Sequence, residues 1–345
     1  MTAMWDMDEG SLGRQGPLHP EAGDAVMATA VPPSSKARAR AVRPADFSAL
    51  VPGRWLAGGV EAARDRVQAH LESLLPPEDG GVASAMRAGV LSPGKRIRPL
   101  MMLTLATDLG CRSPALLDMA CAIEMVHAAS LVLDDLPCMD DAALRRGQPT
   151  VHRQFGEDAA TLAAVGLLSL AFRTVAQAPG LGPQARSKAV VLLTDAVGLA
   201  GLVGGQYQDL REGAAPRSAE AIATTNHLKT GVLFDAAFGL CAVCVSADDA
   251  TRGRLSALAS ELGQAFQLMD DLHDCALLSV DAKDVGRDAD KSTLIATLGE
   301  RETLARLNAH VTEVLRHANA IGAHRLADQL EAVFKPALAV AARAD

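Results

Sequence analysis

Aromatic residues are scarce in this chain: one Tyr, two Trp and seven Phe make up 3% of 345 residues. With few aromatics and abundant Ala and Leu, the composition disfavours sheets and favours helices. Positive charge is not in excess, with 33 Lys and Arg against 41 Asp and Glu. The resulting net charge of −8 argues against nucleic acid as the main partner. No run approaches the roughly 18 apolar residues needed to cross a bilayer, so no transmembrane segment is expected. No alternating run of useful strand length and no short repeat is present. Cysteines are few: Cys111, Cys121, Cys138, Cys241, Cys244 and Cys275. Cys241 and Cys244 form a CxxC, but no second Cys or His pair follows at zinc spacing. Nothing resembles a signal peptide, so the thiols are read as reduced and the chain as cytoplasmic.

Hydrophobic residues make up 49% of the chain, enough for a sizeable core. Residues 1–50 are set apart by Pro, Gly, Ser and Ala without apolar periodicity, and are read as a disordered tail. Lys36, Arg38, Arg40 and Arg43 make that tail locally basic, whereas Asp6, Asp8 and Glu9 are unusual for a transit peptide. Met27 is an alternative start. Residues 51–345 read as one all-α domain, a single large helical bundle. Its candidate helices cover 55–75, 80–91, 96–109, 114–135, 157–177, 184–204, 217–226, 228–246, 250–274, 292–298, 301–318 and 322–342. The breaks carry the usual punctuation: Pro76-Pro77, Gly110, Pro137, Pro179-Gly180, Gly213 to Pro216, and Val285-Gly286.

Two acidic clusters stand inside or at the end of apolar helical stretches: DDLPCMD at 134–140 and DDLHD at 270–274. Buried carboxylates are costly unless a cation compensates them. In the first cluster Ile123, His127, Ser130 and Asp134 share a helix face, with Asp135 adjacent. Six residues of unbroken helix would rotate Asp140 well away from Asp134. Pro137 should break the helix, and a broken turn can bring Asp140 back. In the second cluster Asp270 and Asp274 are spaced i, i+4, with Asp271 beside them and Gln267 one turn earlier. Like charges at this spacing destabilise a bare helix, and a metal is the natural compensation. Mg²⁺ held by a few carboxylates usually completes its shell with water and substrate phosphates. The pattern points to an enzyme working on a diphosphate.

Basic residues complete the set. Gly94-Lys95-Arg96-Ile97-Arg98-Pro99 opens an apolar helix, and Lys95 and Arg98 lie three apart. Arg145 and Arg146 follow the first acidic cluster, Lys229 and Thr230 start another helix, and Lys283 and Lys291 follow the second cluster. Arg offers planar bidentate contacts to phosphate, and Lys a point charge. A lone basic pair is usually surface charge, but here four basic sites interleave with two acidic ones.

Taken together, these segments resemble the trans-isoprenyl diphosphate synthases, most like bacterial geranylgeranyl diphosphate synthases. The matching motifs are GKRIRP at 94–99, HAASLVLDDLPCMDDAALRRGQPT at 127–150, GGQYQDL at 204–210, LKTG at 228–231 and FQLMDDLHD at 266–274. The likeness covers about 55–340. It implies a helical bundle around a central cavity and about three Mg²⁺ per site when substrate is bound. Asp134, Asp135 and Asp140 would bind two Mg²⁺, and Asp270, with Asp271 and Asp274 nearby, the third. Arg145, Lys229, Lys283 and Lys291 would touch the allylic diphosphate (dimethylallyl, geranyl or farnesyl). Lys95, Arg98, His127 and Arg146 would hold isopentenyl diphosphate. Thr230, Gln267 and Phe266 would lie near the reacting carbons. Three departures concern the following segment: His273 where the family usually has an uncharged residue, and Ala282 and Asp290 where glycine is common before lysine. A homodimer is also implied by the resemblance.

The chemistry so implied is ionisation of the allylic carbon–oxygen bond, attack by the isopentenyl double bond, and proton loss to the released diphosphate. The growing tail would run back along the helix that ends at Asp134. Synthases that stop at fifteen carbons tend to have an aromatic residue four or five positions before that aspartate, where this chain has Ser130 and Ala129. Met125 and Val126 lie about one turn further back, as part of a deeper floor. The expected product is therefore geranylgeranyl diphosphate, with farnesyl diphosphate as the nearest alternative. A class I terpene cyclase and a non-catalytic synthase subunit are further alternatives. Lys95, Arg98 and His127 argue against the first, and the presence of both aspartate motifs argues against the second.

Overall fold

A computed structural model of the chain describes residue 56 and residues 58–212, 217–274 and 294–344. The tail at 1–50, the loop carrying Lys283 and Lys291, and the side chains of His273 and Asp274 lie outside the described residues. The described part is built from fourteen α-helices and one two-stranded hairpin. The first four helices are α1 (Gly59–Leu74), α2 (Val82–Leu91), α3 (Ile97–Asp108) and α4 (Leu116–Asp134). The hairpin pairs β1 (Leu144–Arg145) with β2 (Gln148–Pro149) and leads into α5 (Val151–Phe155). Then come α6 (Glu157–Gln177), α7 (Pro183–Val197), α8 (Leu202–Glu212) and α9 (Ala219–Asn226). A π-turn at His227–Gly231 joins α9 to α10 (Val232–Cys244). The chain ends with α11 (Asp249–Asp274), α12 (Leu294–Leu298), α13 (Glu300–Ala320) and α14 (His324–Ala344).

The centre of this arrangement is α4. It is apolar on every side, and residues from Leu116 to Val126 are buried except Asp118. A helix of that kind belongs in a core, and α4 is wrapped by α1, α2, α3, α6 and α10. The start of α3 is fixed by Arg96, which is buried and adopts a left-handed backbone conformation with φ of 49°. Its guanidinium donates to Glu124 Oε1 of α4 at 2.6 Å, to Gln68 Oε1 of α1 at 2.9 Å and to the Ser92 carbonyl at 3.1 Å. One side chain therefore ties three parts of the fold together and sets where Lys95 and Arg98 project.

The π-turn is compressed between α8 and α11. A Cβ on Gly205 would lie 2.7 Å from Leu228 Cβ, and one on Gly263 would lie 2.6 Å from the Gly231 Cα. Only glycine allows these backbones so close. The turn carries Lys229 and Thr230, and π-turns of one turn's length are frequent at functional sites.

Several expectations change in detail. The helix expected over 184–204 is two helices, α7 and α8, because Gly198 and Gly201 form a turn between them. The helix expected to start at 228 continues from α9 through the π-turn. The hairpin and α5 were not expected, since two-residue strands carry no readable alternation. The bilayer reading also needs correction. Four helical stretches, 116–134, 157–177, 183–212 and 219–244, are long and apolar enough to cross a membrane by length and composition. The most apolar 18 residues of the first are 72% buried within the fold, whereas those of 183–212 are 28% buried.

Removing one partner of the Arg96–Glu124 pair strands a buried charge. Glu124→Ala should cost about 3–5 kcal/mol in urea unfolding, while the double change Arg96→Met with Glu124→Leu should cost much less. Equal losses for the two variants would contradict a compensating role for Glu124.

Candidate active site

The first acidic bank sits where α4 ends. Pro137 stops the helix, and the chain folds back on itself: the Asp140 N–H donates to the Asp134 carbonyl at 2.9 Å, and the Asp141 N–H to the Leu136 carbonyl at 3.1 Å. The break returns Asp140 to Asp134, as the spacing required. Asp134 is only partly exposed. Burial, reinforced by the anions of Asp140 and Asp135, pushes its carboxyl up to about 6 against the pull of Lys229 and Arg145. The protein's own cations thus leave this carboxylate under-compensated, which suits a divalent cation.

Asp135 is turned elsewhere, because consecutive helical residues point about 100° apart. It is buried and accepts from Arg145 through Nε at 2.9 Å and Nη2 at 2.8 Å. Burial lowers Arg145, but the hydrogen bond and charge of Asp135 outweigh it and raise the guanidinium. Of the expected set, Asp135 holds an arginine, while Asp134 and Asp140 are joined by the returning turn. Arg145 and Arg146 lie at the hairpin turn, where Arg146 is left-handed with φ of 52°. Arg146 Nη1 donates to the Pro93 carbonyl at 2.9 Å, which brings it beside Gly94 and Lys95.

Lys95 is exposed at the entry to α3, and Arg98 and His127 are half-buried. Burial lowers Arg98, partly offset by Glu124 and Asp270. Burial also holds the His127 imidazole well below its usual range, and the cations Arg98, Arg146, Arg145 and Arg96 add to this. His127 is therefore neutral at neutral pH and donates one N–H. A neutral donor ringed by arginines is an anion pocket.

The second bank lies on α11. Asp270 is exposed, and its charge reaches Arg98. Asp271 is buried: it accepts from Gln267 Nε2 at 2.9 Å and from the Leu294 N–H at 3.1 Å, so it anchors the start of α12. Gln267 Oε1 in turn accepts from the Thr230 hydroxyl at 3.3 Å. A chain of hydrogen bonds thus runs from the π-turn through α11 to α12. Lys229 Nζ pairs with Asp209 of α8 at 2.6 Å. Asp209 belongs to the GGQYQDL segment, but spacing alone had not marked it. Phe266 is sandwiched between Phe234 and Phe334.

Ala129, Met125 and Val126 are fully buried in α4, and the Ser130 hydroxyl donates to the His127 carbonyl at 2.9 Å. A cavity of about 630 Å³ opens along the neighbouring face of α4, lined by Ala128, Leu131, Val132, Asp135 and Arg145 among others. Among the described residues, no three His, Cys, Asp or Glu side chains close on one point. The oxygen donors fit Mg²⁺, which is satisfied by one or two carboxylates with water and phosphate, but do not make a closed protein cage.

The folded carboxyl of Asp134 lies above its unfolded value of 3.8. Its contribution to stability is therefore full below about pH 4 and is lost as pH rises through about 6. Without divalent cations, Asp134→Asn should stabilise the fold by about 2–3 kcal/mol at pH 8 and by almost nothing at pH 4. An unchanged urea midpoint at pH 8 would contradict the under-compensated carboxylate.

Residues 81–318 match the polyprenyl synthetase family. The chain is 50% identical over 279 residues to a geranylgeranyl diphosphate synthase of Pantoea ananas, covering 79% of this chain and 92% of that protein. It is 48% identical over 262 residues to the geranylgeranyl diphosphate synthase of Pseudescherichia vulneris, covering 75% and 85%. Among solved structures, an FPP/GFPP synthase from Zymomonas mobilis superposes with a TM-score of 0.72 at 31% identity, covering 81% of this chain and 99% of that one. A geranyltranstransferase from Thermotoga maritima gives 0.70 at 30%, covering 81% and 98%. With this match over most of its length and relatives at about half identity, the chain belongs to the polyprenyl synthetase family.

Proposed function

We propose that this protein is a prenyltransferase that condenses isopentenyl diphosphate with allylic diphosphates and releases geranylgeranyl diphosphate. The observation that carries the reading is that acidic groups and cations fall into two sets: Asp134 and Asp140 with Lys229 and Arg145, and Arg98 within reach of Asp270 and, with Arg146, of His127. Two cationic groups suit two diphosphates, as a condensation requires and a cyclase does not.

When bound, Mg²⁺ would supply positive charge to the departing diphosphate. Asp134, Asp140 and Asp270 are the side chains that would hold it, with Asp274 also on α11. Lys229 and Arg145 would bind the allylic diphosphate and stabilise charge that builds on it as the carbon–oxygen bond breaks. Lys95, Arg98, Arg146 and the N–H of His127 would orient isopentenyl diphosphate so that its double bond faces the allylic carbon. The Thr230–Gln267 pair would point its oxygen dipoles, and Phe266 its ring, toward the cationic carbon. The proton lost from the isopentenyl carbon beside the resulting cation, as the new double bond forms, would leave on the released diphosphate. Asp135 and Asp271 would act by holding Arg145 and α12.

The small residues Ala129 and Ser130, with Met125 and Val126 behind them, support a twenty-carbon product rather than a fifteen-carbon one. We further propose a homodimer. Leu162 and Val165 of α6, Val191 of α7 and Val203, Tyr207 and Leu210 of α8 are large apolar side chains left exposed. A second copy would cover them and explain why 183–212 is apolar yet little buried. The described cysteines are free thiols, in keeping with a reducing cytoplasm.

Incubation with Mg²⁺, isopentenyl diphosphate and each allylic starter, followed by carbon counting of the dephosphorylated product, tests the reading. A twenty-carbon product is expected; a fifteen-carbon product would overturn the pocket-depth argument, and no condensation by folded protein would overturn the activity. Asp134→Asn should lower kcat at least about 100-fold. Ala129→Phe should shorten the product to fifteen carbons or fewer, and an unchanged product would remove Ala129 as a determinant. Light scattering should give about twice the chain mass, and Leu162→Glu with Val165→Glu should halve it; a monomeric wild type would contradict the dimer.

A further inference from the structure

Phe234 lies at the start of α10, five residues after Lys229, and is 1% exposed. On one side of its ring sits the Arg98 guanidinium, 4.7 Å from the ring centroid. The Phe266 ring lies 5.1 Å away and is inclined by only 22°, so the two are stacked. Phe334 of α14 meets Phe266 edge-on at 5.2 Å and 62°. The resulting column links α3, α10, α11 and α14.

The Arg98 Nε is shielded from solvent and has no hydrogen-bond partner. The charges of Glu124 and Asp270 reach it. What it lies over is a ring face, whose electron density attracts a planar cation. Phe234 is in turn backed by Phe266 and so has little freedom to tilt.

We infer that Phe234 is a positioning residue for Arg98, holding the guanidinium in one plane so that its terminal N–H groups meet the diphosphate of isopentenyl diphosphate. The inference rests on the reading that Arg98 binds that substrate. It separates Phe234 from an ordinary core residue, whose loss would weaken both diphosphate sites or neither. It also makes the column a connection between Arg98 and the second acidic helix, α11, to which Phe266 belongs.

Calorimetric titration with isopentenyl diphosphate, alongside kinetics in which each substrate is varied at saturating levels of the other, tests this. Phe234→Leu removes the ring face and should raise Kd and KM for isopentenyl diphosphate about 10-fold. KM for the allylic substrate should stay within about twofold. Phe234→Tyr keeps the ring and should remain close to wild type. In an Arg98→Lys background, which lacks the planar cation, Phe234→Leu should add little. Equal changes in both KM values, or full additivity with Arg98→Lys, would overturn the inference. If Phe234→Leu does not fold, Phe234→Met is the second variant, and failure of both marks Phe234 as a core residue and overturns it as well. A wild type that binds isopentenyl diphosphate in a Phe234-dependent way but does not condense it would sink the catalytic reading alone.

Discussion

The repulsion among carboxylates gathered at the end of an apolar helix is the constraint to which the other features answer. Asp134 and Asp140 are drawn together by a backbone hydrogen bond of 2.9 Å, in a setting dry enough to push one carboxyl up to about 6. A bundle does not keep such an arrangement for stability, since neutralising one partner would be cheaper. In the function proposed above, it is kept because cations would arrive with the substrate. The arginines are arranged in the complementary way, around a neutral histidine whose surroundings disfavour a further positive charge.

Rigid supports then hold these groups in place. Arg96 spends its guanidinium on Glu124, Gln68 and Ser92, and in doing so fixes the loop from which Lys95 and Arg98 project. Asp135 fixes Arg145, Asp271 fixes α12 and Gln267, and glycines at 205 and 263 let α8 and α11 close on the turn that presents Lys229 and Thr230. In each case a charged or constrained residue next to a functional one does the orienting. Both aspartate motifs accordingly contain an adjacent pair in which one member, Asp135 or Asp271, is buried and accepts from the protein, and the other, Asp134 or Asp270, is less buried.

Much of this was legible in the sequence. The long apolar stretch of α4 and the amphipathic pattern of α11 are plain, and Pro137 between Asp134 and Asp140 allowed for the returning turn. What was not legible depends on tertiary contact. Asp135 and Asp134 are chemically identical neighbours, and only the packing of the hairpin reveals which one meets Arg145. Phe234 and Asp209 look like an ordinary core residue and an ordinary helix-surface acid until α3 and the π-turn come alongside them. The count of apolar runs departs from the mean hydropathy for a related reason. Counting uninterrupted apolar runs overlooks helices such as 157–177, whose scattered small and polar residues still leave a high mean hydropathy.

The central claim is that neither acidic bank closes a metal site alone and that a diphosphate completes it. The most direct measurement is calorimetric titration of the purified protein with Mg²⁺, with and without saturating inorganic diphosphate. The account predicts weak binding of Mg²⁺ alone and tight uptake of about three ions per site once diphosphate is present. Tight Mg²⁺ binding to the bare protein, or no gain on adding diphosphate, would contradict it.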